Sequence, residues 1–192
     1  MMKTIILISL FLFSSINYVL SNSIVSRISD NWNQIKSMSG SFVQTDPDGE
    51  MSKGMFFFLK PYKSKFEYTN KTENIITNQR LLAIVDSEGY HVDSYPIGNN
   101  ILKKLLSNEI DVGSEFDIRD IIEDDNFIVL QVLMDDKTGD NYAKFFFDKN
   151  SLILKKWEIY DEFQNKTVLE FTKTKKNISI SDNLFKVKYK QN

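Results

Sequence analysis

At 192 residues the chain is long enough for one sizeable domain, and its composition already excludes several kinds of function. With no cysteine and a single histidine it offers neither a thiol nucleophile nor a cluster of metal ligands. A formal charge of −2 argues against a nucleic-acid footprint.

Residues 1–21 read as a secretory signal peptide. Lys3 gives a positive start, Ile5 to Phe13 is an apolar run broken only by Ser9, and Val19-Leu20-Ser21 supplies a cleavage site. The run is too short for a good membrane span. The remainder, residues 22–192, is expected to be one domain, soluble after export, with 23 basic against 26 acidic residues once Lys3 is removed. An exported domain without disulfides relies on its core, which suits a bacterial periplasm.

Ser23 to Lys36 predicts an amphipathic helix, because Ile24, Ile28, Trp32 and Ile35 recur at helical spacing. Ser37 to Thr45 switches to strand chemistry and ends at Asp46-Pro47-Asp48-Gly49. That tetrapeptide is a hairpin turn rather than a calcium loop, since the spaced ligands of such a loop are missing. Two strands come next, Met55–Leu59 and Lys63–Tyr68, cornered at Lys60-Pro61-Tyr62. Ser64, Phe66 and Tyr68 alternate cleanly against Lys63, Lys65 and Glu67. Phe56, Phe57 and Phe58 instead put rings on both faces, and which face turns inward is open at this point.

Glu73–Thr77, Leu81–Asp86 and Tyr90–Ser94 continue as a meander. Asn100 to Asn108 is a short amphipathic helix, and Glu109 to Glu115 is ambiguous. Ile118–Ile122, Phe127–Met134, Ala143–Asp148, Leu152–Tyr160 and Thr167–Thr174 resume the meander, with turns such as Asp124-Asp125-Asn126 and Thr138-Gly139-Asp140. Leu184–Tyr189 reads as a last short strand. The fold class is therefore mainly β with a few helices, about ten strands joined by short turns. Several strands are apolar on both faces. Such a sheet either curls onto itself or leaves a hydrophobic hollow under its helices.

Catalysis has little to stand on. His91 lies in a predicted strand, and the carboxylate groups Glu123-Asp124-Asp125 and Asp135-Asp136 fall at solvated turn positions. There is no glycine-rich phosphate loop. The chain reads as a non-enzyme that calls for no cofactor and no metal.

The order of its fragments resembles a known family. Gly40-Ser-Phe42-Val-Gln44-Thr, Gly49, Gly54-Met-Phe-Phe-Phe-Leu-Lys60-Pro61 and Phe66-Glu-Tyr68 resemble the opening of LolA, the periplasmic carrier of outer-membrane lipoproteins. Leu82-Ala-Ile-Val-Asp86, Tyr95-Pro96-Ile97 and the Leu102–Leu106 helix resemble its alphaproteobacterial branch, as do Trp157-Glu-Ile-Tyr-Asp161 and Ile180-Ser-Asp-Asn-Leu-Phe185 further on.

The resemblance implies an incomplete antiparallel β-barrel covered by a helical lid, acting as a monomer in the periplasm. It implies three partners: lipid-modified lipoproteins, an inner-membrane ABC-type releasing complex and an outer-membrane receptor. Phe42, Phe56, Phe58, Phe66, Tyr68, Leu82, Ile84 and Trp157 are expected to line the hollow, or simply to form an ordinary core. Leu102 and Leu105 are expected in the lid. Lys60 stands where the family has an arginine that ties barrel to lid, so it is either a weaker latch or a solvated loop lysine. Two rivals remain: a carrier or sensor of free lipid, and a cell-envelope interaction domain with a filled core.

Overall fold

The alternating segments assemble into an 11-stranded antiparallel sheet in the computed structural model, which describes residues 24–98, 100–134 and 141–190. The signal-peptide residues, the Asp135-Asp136 pair and the Thr138-Gly139-Asp140 turn lie outside the described residues. The chain enters through α1 (24–33). Its stripe of Val25, Ile28 and Trp32 is buried, while Arg27 and Asp30 face water, as the helical spacing requires.

Six strands then run as a meander: β1 (Ser37–Thr45), β2 (Met51–Leu59), β3 (Lys63–Tyr68), β4 (Glu73–Thr77), β5 (Leu81–Asp86) and β6 (His91–Pro96). Two short helices intervene, α2 (Ile101–Leu105) and α3 (Val112–Glu115). A second meander completes the sheet: β7 (Ile118–Glu123), β8 (Phe127–Leu133), β9 (Tyr142–Asp148), β10 (Leu154–Tyr160) and β11 (Lys166–Lys176). Strand order is β6-β5-β4-β3-β2-β1-β11-β10-β9-β8-β7. β11 returns to pair with β1, setting Phe42 opposite Phe171, and this seam joins the two meanders. Among the described residues nothing pairs β6 with β7, so the barrel stays incomplete. The segment that connects those two edges carries α2 and α3, which is how the cover comes to lie against the sheet.

Each face of the sheet has its own core. The inner face, against the helices, gathers Phe42, Phe56, Phe58, Phe66, Phe145, Trp157 and Phe171 into one cluster with Ile28 and Trp32 of α1 and Leu105 of α2. The outer face carries a smaller cluster of Ile76, Ala83, Val85 and Phe185, with Phe57 and Leu59 packed against it. The three consecutive phenylalanines of β2 thus serve two cores: Phe56 and Phe58 turn inward, Phe57 outward.

Leu184–Tyr189 is not a strand. Asp182–Phe185 forms a 3-10 turn capped by the Ser181 hydroxyl, and Lys188 meets the sheet only in a parallel bridge to Tyr90. Leu184 and Phe185 are neighbours in sequence, yet both pack on the outer cluster. An extended strand would send them to opposite sides, so burial of both overrides the strand-like composition.

Gly54 marks a close approach of β2 to β3. A Cβ there would lie 1.9 Å from the Glu67 carbonyl oxygen and 3.0 Å from the Phe42 ring. We predict that Gly54→Ala costs about 3 kcal/mol or more in urea unfolding, the top of the overpacking range. Gly49→Ala, at a left-handed turn position with open space around it, should cost only about 1–2 kcal/mol. Equal losses at the two positions would contradict this packing.

Candidate functional site: an aromatic inner face under a helical cover

Six of the eight residues singled out for a hollow come together on the inner face. Phe42 meets Phe66 and Tyr68 edge-on, with ring centroids 5.3 and 5.0 Å apart. Phe58 reaches Phe66 at 5.7 Å, Phe56 reaches Phe171 at 4.9 Å, and Trp157 reaches Phe171 at 5.1 Å. The edge-to-face geometry suits the ring quadrupoles and locks the rings into a continuous lattice. Leu82 and Ile84 lie apart from it. Ile84 pairs with Ile75 and Leu82 with Thr77, so both share the inner side of β5, but they are half-buried near the sheet edge.

The sequence reading missed Phe145, Phe147 and Phe171, which contribute as much to the lattice as the residues of the first meander. The signal was present in the alternation Leu169, Phe171 and Ala143, Phe145, Phe147, which puts one set on a single face.

These side chains fill the space between sheet and helices rather than leaving a hollow among themselves: Phe42, Phe56, Phe58, Phe66 and Trp157 are each at most 5% exposed. Beneath the end of α1, a cavity of about 10 Å³ is lined by Trp32, Ile35, Met38, Phe58, Lys60 and Leu106. That is room for about one water molecule.

The cover is held by a few polar ties that converge on α1. Trp32 Nε1 donates to the Leu105 carbonyl at 2.7 Å, fastening α2. Asn33 clamps the backbone of Ile110, donating to its carbonyl and accepting from its N–H, both at 2.9 Å. The Ser29 hydroxyl accepts from the N–H of Val112 at 3.0 Å and anchors α3, which explains how a four-residue helix persists. Asn31 donates to the Leu152 carbonyl at 2.9 Å, in the β9–β10 turn. Leu105 is buried in the main cluster and Leu102 packs on it half-buried, so both belong to the cover.

Lys60 joins the sheet to this cover. It comes directly after β2, and its Nζ donates to the Trp32 carbonyl at 2.9 Å while lying 5.5 Å from the centre of the Trp32 rings. The last-turn carbonyls of a helix carry partial negative charge, so a cation is well placed there. Burial, and then the charge of Lys36, pull the ammonium group down to about 8, with Glu109 opposing. On the rim, the Tyr68 hydroxyl donates to Gln44 Oε1 at 2.8 Å, and burial followed by the charge of Asp46 pushes it up to about 12. Three buried side-chain atoms have no hydrogen-bond partner among the described residues: Ser52 Oγ, Trp157 Nε1 and Thr174 Oγ1. His91 stacks on Tyr189 at 5.1 Å, away from the inner face.

An open antiparallel sheet with an aromatic inner face under a small helical cover defines a LolA-like incomplete barrel. The chain belongs to the family described as outer membrane lipoprotein carrier protein LolA, whose family model matches residues 33–188. Among solved structures it is similar to a chain of the Pseudomonas aeruginosa MucA/MucB complex, with a TM-score of 0.53 at 12% identity. That match covers 88% of this chain and 61% of the other, so this chain spans about three fifths of the length of that relative. An uncharacterized conserved protein from Thermus thermophilus has a TM-score of 0.53 at 8% identity, covering 88% and 99% of the two chains. A DUF1329 family protein from Desulfovibrio piger has a TM-score of 0.52 at 10% identity, covering 88% and 96%. At these identities the likeness is one of fold. No curated protein matches the sequence.

Lys60 generates a pH prediction. Its folded value of about 8 lies below the ordinary 10.5, so the unfolded chain holds the proton more tightly. The cost of burying the ammonium is present in full below pH 8 and fades as pH rises toward 10.5. Against a Lys60→Met variant, the melting temperature of the wild type should therefore gain ground as pH rises from about 8 to about 10.5. Solvent screening at a half-exposed group limits the gain to a few degrees. A difference that stays flat with pH would place the charge in water instead of against α1.

Proposed function

We propose that this chain is a periplasmic carrier that shelters the acyl chains of lipoproteins. It takes them from an inner-membrane ABC-type releasing complex and passes them to an outer-membrane receptor. One observation carries the reading: an aromatic face drawn from both meanders is covered by three short helices whose polar hold is a handful of hydrogen bonds centred on α1. Family membership supports the class of cargo.

The energetics explain why such a carrier is needed. At roughly 0.8 kcal/mol per buried CH₂, an acyl chain of about fourteen methylenes costs on the order of 11 kcal/mol to expose to water. No multiply acylated protein crosses an aqueous compartment unaided against that cost. A carrier that is closed when empty hides its own aromatic face by the same physics. On loading, α1 to α3 move off the sheet and acyl chains take up the contacts that Trp32, Leu105 and Ile28 make in the closed form. The cover is thus a self-ligand, and cargo competes with it.

A second reading has its own support. The interior is occupied by the protein's own side chains, as a plain interaction domain would have it. A neighbour in fold is known from a complex of two proteins, MucA and MucB. A hydrophobic dye separates the readings, because a permanently filled core gives no saturable site. We expect saturable dye uptake by the mature chain, displaced by acyl lipid. Mass spectrometry of the chain recovered from the periplasm should find a lipoprotein with it rather than free lipid. Absence of both would end the carrier reading.

The latch is tested separately. Lys60→Arg restores a broad, planar cation at the end of α1, so it should hold the cover more firmly and slow lipoprotein transfer to the receptor severalfold, about 1 kcal/mol in barrier. Unchanged binding and transfer would show that Lys60 has no part in opening.

A further inference from the structure

From its unpaired indole we propose that Trp157 is the polar anchor of the inner face, donating a hydrogen bond to the carbonyl oxygen of an acyl chain. The inference rests on the carrier reading and adds to it the chemistry of what is carried. Trp157 is 5% exposed, yet its Nε1–H has no partner among the described residues. An indole nitrogen can only donate, so the missing partner is an acceptor.

The neighbours supply none. Trp157 packs on Phe145 at 6.4 Å and on Phe171 at 5.1 Å, and its cross-strand partner is Leu169. An edge-on aromatic contact compensates an N–H only weakly. A buried water needs two to four polar partners, and this apolar wall does not provide them. Proteins pair nearly all buried donors, because an unpaired one forfeits its hydration for nothing. The donor is accounted for if the acceptor arrives with the ligand.

The strand register places a second unpaired group in the same row. Trp157 lies opposite Leu169, Leu169 opposite Gln44, and Gln44 opposite Ser52. Ser52 is fully buried on the side of β2 that carries Gly54, Phe56 and Phe58, and its hydroxyl is also without a partner. Gln44 between them is already engaged, donating to Asp46 and accepting from Tyr68, so it satisfies neither. Trp157 and Ser52 thus stand three strand spacings apart, roughly 14 Å, on a mainly apolar face whose neighbouring polar groups, Gln44 and the Tyr68 hydroxyl, are already paired. A bare alkyl chain would leave both unpaired. An acyl chain brings a carbonyl oxygen at its head, as ester, amide or free carboxyl.

The test uses the full mature chain and three probes displacing a bound hydrophobic dye: dipalmitoylglycerol, its ether analogue dihexadecylglycerol, and palmitic acid. The two glycerolipids have chains of the same length and differ in the carbonyl. The wild type should bind the ester about tenfold more tightly than the ether, the worth of one buried neutral hydrogen bond. Trp157→Phe should erase that preference by bringing the ester affinity down toward that of the ether, because it removes the donor. Palmitic acid competing as well as the ester also supports the anchor, and identifies free lipid as a source of the carbonyl.

Equal wild-type affinity for ester and ether overturns the proposal while leaving the carrier reading intact. So does a Trp157→Phe variant that weakens both lipids alike, since only shape was then lost. A wild type that binds none of the three overturns the carrier reading and the anchor with it. The comparison within the wild type needs no variant, so it decides the matter even if Trp157→Phe does not fold.

Discussion

A ten-residue helix, 24–33, has to cover an inner face to which strands from both meanders contribute, and most of the architecture follows from that imbalance. Seven strands place buried side chains in the same cluster as α1, and α2 and α3 add only a few apolar residues. No helix of that size screens so much aromatic surface as a flat plate. The sheet must therefore curl round the helix, bringing Phe66 of β3 and Leu130 of β8 into one core. Its two meanders meet at the β1–β11 seam instead of lying side by side as separate layers. Among the described residues β6 and β7 do not pair with each other, and the connection between them has to cross the mouth. The cover is made from that crossing.

The polar groups of α1 obey the same logic. A short helix gains little from its own hydrogen bonds and holds its place through tertiary contacts. Ser29, Asn31, Trp32 and Asn33 each bind the backbone of a different segment, which converts the helix into a clasp. Because each tie replaces hydrogen bonds to water in the unfolded chain, it is worth only about 1 kcal/mol net. The clasp is specific in geometry and modest in strength. Lys60 adds a cation, placed where the end of α1 is most negative. Its lowered affinity for a proton shows that the same burial which positions the charge also works against it.

Much of the fold was legible because the sheet obeys period two. Ser37–Thr45, Lys63–Tyr68, Glu73–Thr77 and Leu81–Asp86 appear in the structure with the bounds that alternation and turn residues suggested. Where local pattern and tertiary demand disagree, legibility fails. Phe56–Phe57–Phe58 gives no orientation by itself, since an unbroken aromatic run has no polar phase; the pairing of Phe56 with Gly40 and Phe58 with Met38 fixes it. Leu184–Phe185 reads as strand, but the outer cluster needs both residues on one side. The four residues of α3 carry almost no periodic signal, and the helix depends on Asp111 as cap and Ser29 as distant anchor. The members of the inner aromatic face were only partly legible for a related reason. The first meander announces itself with a dense aromatic stretch, whereas the inward phases of β9 and β11 stand out only once their faces are known.

The closed interior and the proposed carrying role are compatible on physical grounds, and they meet at the unpaired polar atoms of the inner face. A face built only for stability would be apolar throughout, because an unpaired buried donor is a standing cost that phenylalanine in its place would avoid. A face built for cargo has to remain cohesive when empty and still distinguish what enters. Edge-to-face aromatic contacts meet the first need: they are numerous, individually small and re-formed readily against a hydrocarbon chain. They cannot meet the second, since dispersion scarcely separates one alkyl chain from another. Discrimination has to come from the few polar atoms left among the rings. In this fold those atoms lie on the sheet, where neighbouring strands hold them in register, while the polar ties of the cover lie on the helices. Under the proposed carrier reading, recognition falls to the sheet and access to the cover, so opening the cover leaves the geometry that reads the ligand in place.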